Sequence, residues 1–295
     1  MATFNVYTYL FSPITQRWAG ELFASGPAKP LEERYRERHQ YLEAFFKGRE
    51  RFFSIRAAGR EYGCMMLARK DGIFVFRIAK SHKHRRELKF KEFEEADEPS
   101  CIIIVDNREE GMQTICIQKK TKAFDKPQTV AEILEKALNK YLEPFHLRVD
   151  IKAKYTTSEF WRMVDKHPKG IEWVEFRFPY PNMPEISDLV GDIEKVARET
   201  NSEPTLKLQG QNKETLRLDP QLGFIVKAIA ACAASGRPVV LKPKGAGVIH
   251  VGTLSQVREE VSDRVFKRLE EKDLFDTDLT QVLEFLKNVK LVYDD

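Results

Sequence analysis

The sequence predicts an α+β protein: a mixed, mainly antiparallel sheet in the N-terminal part, with a second α/β part packed beside it. Three observations carry this. Between Phe52 and Gln118, short apolar runs rich in β-branched and aromatic residues are separated by turn residues. After Lys126-Pro127 the rhythm changes to helix-period segments alternating with strand-period ones. The composition, 42% hydrophobic and 11% aromatic, supports a packed core and excludes disorder or a fibrous repeat as a global description. At 295 residues the chain has room for one large domain or two modest ones. The expected division is a β-rich domain with one helix and basic hairpins over 1–127, and a mixed helix/strand domain over 128–295.

The opening Phe4-Asn5-Val6-Tyr7-Thr8-Tyr9-Leu10 alternates and is aromatic, as a strand should be. A loop follows, ending at Gly26-Pro27-Ala28-Lys29-Pro30. Leu31, Tyr35, Tyr41-Leu42 and Phe45-Phe46 recur at helical spacing, which predicts a helix from Leu31 to Lys47, stopped by Gly48. Strands are expected over 52–58, 63–69 and 73–78. Asp71-Gly72 supplies the positive φ of a tight hairpin turn between the last two. Cys101-Ile102-Ile103-Ile104-Val105 has no polar alternation and predicts a strand buried on both faces, in a hairpin with Thr114–Gln118.

In the second half, Thr129 is the expected cap of a helix through Tyr141, and His146–Ala153 alternates as a strand. A short helix begins at Thr157 or Ser158, and Ile171–Phe178 is another strand, ended by Pro179, Pro181 and Pro184. Further helices are expected over 186–200, 221–235, 254–270 and 279–289. Short strands are expected over 205–208, 215–218 and 238–241.

Charge narrows the function. Residues 1–127 carry 24 basic against 18 acidic side chains, and residues 128–295 carry 25 against 27, so the basic excess belongs to the first half. A net charge of +4 does not by itself demand a nucleic-acid partner. No window approaches the ~20 apolar residues of a membrane span. The start lacks the regions of a signal peptide, so a cytoplasmic protein without membrane insertion is expected. Cys64, Cys101, Cys116 and Cys232 lie in or beside apolar runs without a CxxC pair, which predicts buried thiols. His82 and His84 stand among cations that would repel a metal, so neither a metal site nor a cofactor is expected.

The densest feature is Arg77, Lys80, Lys83, Arg85, Arg86, Lys89 and Lys91, read as a strand end and its following loop. Such a cluster can neutralise several phosphates and release their counterions, and Phe90 and Phe93 can stack on exposed bases. The bland alternative is a solvated loop neutralised by Glu92, Glu94, Glu95, Asp97 and Glu98 directly behind it. A second group, Lys119, Lys120, Lys122 and Lys126, follows the next hairpin. If both groups share one rim of the sheet they form a stripe along which a nucleic-acid backbone can lie. Lys242-Pro243-Lys244-Gly245-Ala246-Gly247 reads as a plain loop sooner than a phosphate cradle, since neither a P-loop nor GxGxxG is present. Asp106 with Gln118 and Lys120 is the one enzyme-like constellation. Restriction-endonuclease-like sites pair an acid at one strand end with acid-x-Lys on the next strand to hold Mg²⁺, and here Gln118 replaces the second acid.

The run Val105-Asp106-Asn107, the strand Gln113-Thr114-Ile115-Cys116-Ile117, and Phe124 before a helix resemble uncharacterised bacterial proteins from anti-phage defence islands. The Ala228–Gly236 helix followed by Val239-Val240-Leu241-Lys242-Pro243-Lys244-Gly245 is similar to their C-terminal parts. The resemblance implies a defence component that binds nucleic acid, often beside a partner protein. The first expectation is therefore a non-enzymatic protein whose basic N-terminal surface contacts DNA or RNA. The alternatives are a Mg²⁺-dependent nuclease using Asp106, Gln118 and Lys120, or a structural subunit of a protein complex or homo-oligomer.

Overall fold

The apolar segments pair into mainly antiparallel sheets flanked by helices, an α+β architecture, in the computed structural model. It describes residues 1–14, 31–88, 90–108, 113–178, 196–197, 200, 202–252, 256–271 and 278–291. Two compact units are built from interleaved segments. The first comprises 1–7, 36–145 and 258–287, and the second 8–35, 146–257 and 288–295. The helix-forming segment that begins at Pro127 thus packs with the β-rich segment before it. Among the described residues no helix is long and apolar enough to cross a membrane.

The strands of the first unit's sheet are β1 (Ala2–Pro13), β2 (Phe52–Ala57), β3 (Arg60–Lys70), β4 (Ile73–Ala79), β7 (Ser100–Asp106), β8 (Thr114–Gln118) and β14 (Arg258–Val261). Their order is β14-β1-β8-β7-β4-β3-β2. The expected hairpins form. Asp71 and Gly72 both take positive φ between β3 and β4, and Ala58 and Gly59 do the same between β2 and β3. β7 is buried on both faces, as its unbroken apolar run requires. β1 departs from alternation: Phe4, Val6, Tyr7, Tyr9 and Phe11 are all buried. It is an interior strand with partners on both sides. Its half from Thr8 onward belongs to the second unit, as does β9 (Leu147–Ala153), which pairs with β1.

The helix expected over 31–47 is two, α1 (Leu31–Arg36) and α2 (Arg38–Lys47), because Glu37 has ψ near zero and breaks the run. α2 buries Leu42, Phe45 and Phe46; Phe46 stacks on Phe74 at 4.8 Å. Helix α3 (Pro127–Leu142) starts earlier than Thr129. Its N-cap is Lys126, with Pro127 in the first turn, where a missing N–H costs nothing. The 254–270 segment, expected as one helix, divides into β14 and helix α6 (Asp263–Glu271). The β1 edge recruits Arg258–Val261 as a partner, with Phe4 opposite Glu259. Helix α7 (Thr280–Leu291) follows, and Phe266 and Phe285 close on Phe4 at 5.4 and 5.5 Å.

The basic segment departs most from expectation. It is not a loop: β5 (His82–Leu88) and β6 (Lys91–Asp97) pair as a two-stranded sheet of their own.

In the second unit, strands β10 (Ile171–Arg177), β11 (Thr205–Gln209), β12 (Val239–Pro243) and β13 (Ile249–Val251) form a sheet in the order β11-β10-β12-β13. Helices α4 (Ser158–Asp165) and α5 (Gly223–Ala234) supply Phe160, Ile225, Ala228, Ile229, Cys232 and Ala233 to a core with Val174, Phe176, Val239 and Leu241. Small residues on α5 allow this close approach. The Tyr155 hydroxyl donates to the Arg237 carbonyl at 2.6 Å, and Gly252 leaves room for the Tyr155 ring, where a Cβ would stand 2.6 Å from it. The strand expected over 215–218 is only an isolated bridge of Leu216 to Ile171. The loop expected up to Pro30, the prolines at 179–184 and nearly all of the helix expected over 186–200 lie outside the described residues.

Candidate nucleic-acid interface

Antiparallel pairing decides which chain ends meet. Ala79 at the end of β4 pairs with Ser100 at the start of β7, and Ile103 of β7 pairs with Ile117 near the end of β8. The exits of β4 and β8 therefore share one rim of the sheet, two strand spacings or about 10 Å apart. Lys80 leaves the first exit; Lys119, Lys120 and Lys122 leave the second. Lys120 acts electrostatically on Cys101: burial pushes that thiol up to about 12, and the Lys120 charge pulls the opposite way.

The lysine loop is fixed from below. The Lys119 amide donates to the Thr3 carbonyl at 2.8 Å, and the Ala123 and Phe124 amides both donate to the Lys120 carbonyl. Ala123 and Phe124 are buried, anchoring the turn, while Lys119, Lys120, Lys122 and Lys126 stay exposed. Among the described residues none of these four makes an ion pair. They lead directly into the N-terminus of α3, which has no side-chain cap and no acid in its first turn. A helix N-terminus favours negative charge, so Lys126 at the N-cap opposes the helix dipole while Asp125, just before it, favours it.

The other predicted cations are placed differently. Arg77 is ion-paired with Glu270 of α6, both partly buried, and so is not offered to a ligand. The β5–β6 register sets His82 opposite Asp97, His84 opposite Glu95 and Arg85 opposite Glu94. From His82 to Asp97 five Lys/Arg (Lys83, Arg85, Arg86, Lys89, Lys91) match five Asp/Glu, so the arm carries no net charge. Lys91 is exposed near its tip; Lys89 lies outside the described residues. The remaining register sets Lys83 opposite Ala96, Arg86 opposite Phe93, Glu87 opposite Glu92 and Leu88 opposite Lys91.

The enzyme-like constellation is not assembled. Asp106 pairs with Thr114 at the start of β8, so Gln118 is four residues, about 14 Å, away at the other rim. Instead the Asp106 carboxylate accepts two hydrogen bonds from the Arg108 guanidinium, at 2.8 and 2.7 Å, and one from the Arg108 amide at 3.3 Å, and the Gln118 Oε1 accepts from the Ile102 amide at 3.1 Å. The neighbouring Asn107 is locked to His39, donating to its carbonyl at 2.8 Å. Glu109 and Glu110 lie outside the described residues. Among the described residues no cluster of three His, Cys, Asp or Glu side chains is arranged to hold a metal ion.

A surface cleft of about 400 Å³ is lined by Glu43, Lys47, Arg69, Lys70, Asp71, Gly72 and Phe74. Two of its three cations are engaged within the chain. Lys47 pairs with Glu43 at 2.7 Å, and Arg69 donates to the carbonyls of Phe46, Lys47 and Arg49 at the end of α2. In the second unit, the Lys242 ammonium donates to the Ala246 carbonyl, which makes the Lys242–Gly247 turn a self-contained hairpin loop.

Glu270 was invisible to sequence reasoning, because 193 residues separate it from Arg77 and no local pattern links them. The β5–β6 arm did leave a signal: a basic run followed by an acidic run of equal length around a short turn. No family model matches the chain, no curated protein matches its sequence, and no solved structure matches its fold.

Proposed function

We propose that this chain is a nucleic-acid-binding protein whose phosphate contacts come from Lys119, Lys120 and Lys122, joined by Lys80 on the same rim. The single observation that carries the reading is this anchored, exposed, unpaired lysine loop on the rim that Lys80 shares. The contacts are phosphate-led, so binding is broad in sequence and weakens with salt. A place in an anti-phage defence system rests on the resemblance of the Val105–Ile117 hairpin and the Ala228–Gly245 segment alone.

The test is fluorescence anisotropy at low salt with labelled single-stranded and duplex DNA and RNA. Wild-type protein binds at least one of them, and Lys119→Glu with Lys120→Glu weakens that binding across unrelated sequences. No binding to any of the four at low salt overturns the assignment.

A further inference from the structure

The tip of the β5–β6 arm combines features that the fold alone does not explain. Phe90 is 97% exposed, the most exposed large apolar side chain among those described. It also takes φ +63°, a left-handed conformation that disfavours a bulky L-residue. Burial would offset that strain elsewhere in a protein, but here none does. The arm joins no third strand among the described residues, and an isolated two-stranded hairpin is marginal in water. With seven residues in each strand, it runs about 23 Å from its root, between Ala79 and Ser100, to Phe90. That root is the rim from which the lysine loop emerges.

We infer that Phe90 is a wedge that inserts between adjacent bases of the nucleic acid held at the lysine rim. This rests on the phosphate-binding reading above, but on a different residue and a different force. Proteins that unstack a base step do so with an apolar side chain, and a ring at the end of a long arm reaches bases while the lysines hold the backbone. Nucleic acid is favoured over a lipid surface because one phenyl ring alone gives only weak membrane attachment, whereas base stacking is strong ring by ring.

The experiment compares Phe90→Gly, Phe90→Trp and Lys119→Glu/Lys120→Glu with wild type. Binding is measured on an oligonucleotide duplex carrying 2-aminopurine, and on vesicles of phosphatidylserine and phosphatidylcholine. Glycine relieves the backbone conformation, so Phe90→Gly is at least as stable as wild type to urea while its affinity falls about tenfold. Its salt dependence stays unchanged and the 2-aminopurine signal of unstacking is lost; Phe90→Trp restores both. Unchanged affinity and 2-aminopurine signal in Phe90→Gly, with the double lysine variant impaired, overturns the wedge and leaves the phosphate reading standing. Loss in Phe90→Gly with an unaffected double lysine variant supports the wedge and overturns the lysine rim. Phe90-dependent binding to vesicles but not to the duplex, or no duplex binding by wild type, overturns the wedge.

Discussion

Asp106 offers a sharp prediction because two readings of it, catalytic and structural, diverge on replacement. Its side chain is 6% exposed and accepts two charge-assisted hydrogen bonds from Arg108, whose side chain is 38% exposed. Removing one partner of a fully buried pair costs about 3–5 kcal/mol, chiefly from the stranded charge. Arg108 reaches water, so much of that penalty is avoided. What remains is the loss of charge-assisted hydrogen bonds at the end of β7, about 1.5–3 kcal/mol for Asp106→Ala. Asp106→Asn, which keeps the shape and one acceptor, costs less. Urea unfolding reads this as a lower midpoint at unchanged slope, with nucleic-acid affinity at the lysine rim preserved. An Asp106→Ala protein with the wild-type midpoint refutes the reasoning. If that variant also loses a Mg²⁺-dependent cleavage present in wild type, Asp106 is catalytic.

The buried thiols give a pH prediction. Burial pushes Cys64, Cys101 and Cys232 up to about 12 from 9.0. Above pH 9 the unfolded chain's thiols release protons that the native state retains, so stability falls as pH rises from 9 toward 12. The slope is about 1.4 kcal/mol per pH unit for each thiol, and Cys232→Ala makes the fall measurably shallower in pH-dependent urea unfolding. The same burial makes all four cysteines unreactive toward a thiol reagent at about pH 8 until the protein is unfolded, which a colorimetric thiol count checks. Lys83→Asp with Arg85→Asp makes the neutral arm acidic and sets an acid opposite Glu94, which weakens the hairpin, so far-ultraviolet circular dichroism must accompany the binding assay. Arg77→Ala leaves affinity within about twofold, because its guanidinium belongs to Glu270.

Where local chemistry sufficed, the sequence was legible. Asp71-Gly72 demanded a tight turn, the Cys101–Val105 run demanded burial on both faces, and both are found. What failed was information that exists only across long separations. Arg258–Val261 fits a helix by periodicity and becomes a strand because β1, more than 250 residues away, has an edge to pair. The same holds for the sites. Two lysine-bearing exits share a rim because strand order happens to be β8-β7-β4, which no spacing encodes. The Asp106–Gln118 pattern puts its members on consecutive strands, but a hairpin places the end of one strand beside the start of the next. The charge balance of 82–97 was countable from the start; only the register showed which positions pair, Arg85 with Glu94 but Lys83 with Ala96.

The salt dependence of binding tests the central claim most directly. If Lys80, Lys119, Lys120 and Lys122 each neutralise one phosphate of a duplex, the logarithm of the binding constant falls against the logarithm of salt with a slope of about −3.6. Affinity then drops about 100-fold between 50 and 200 mM salt, and Lys119→Gln with Lys120→Gln reduces the slope to about −1.8. A slope near zero for the wild-type protein, or an unchanged slope in the double variant, contradicts the account.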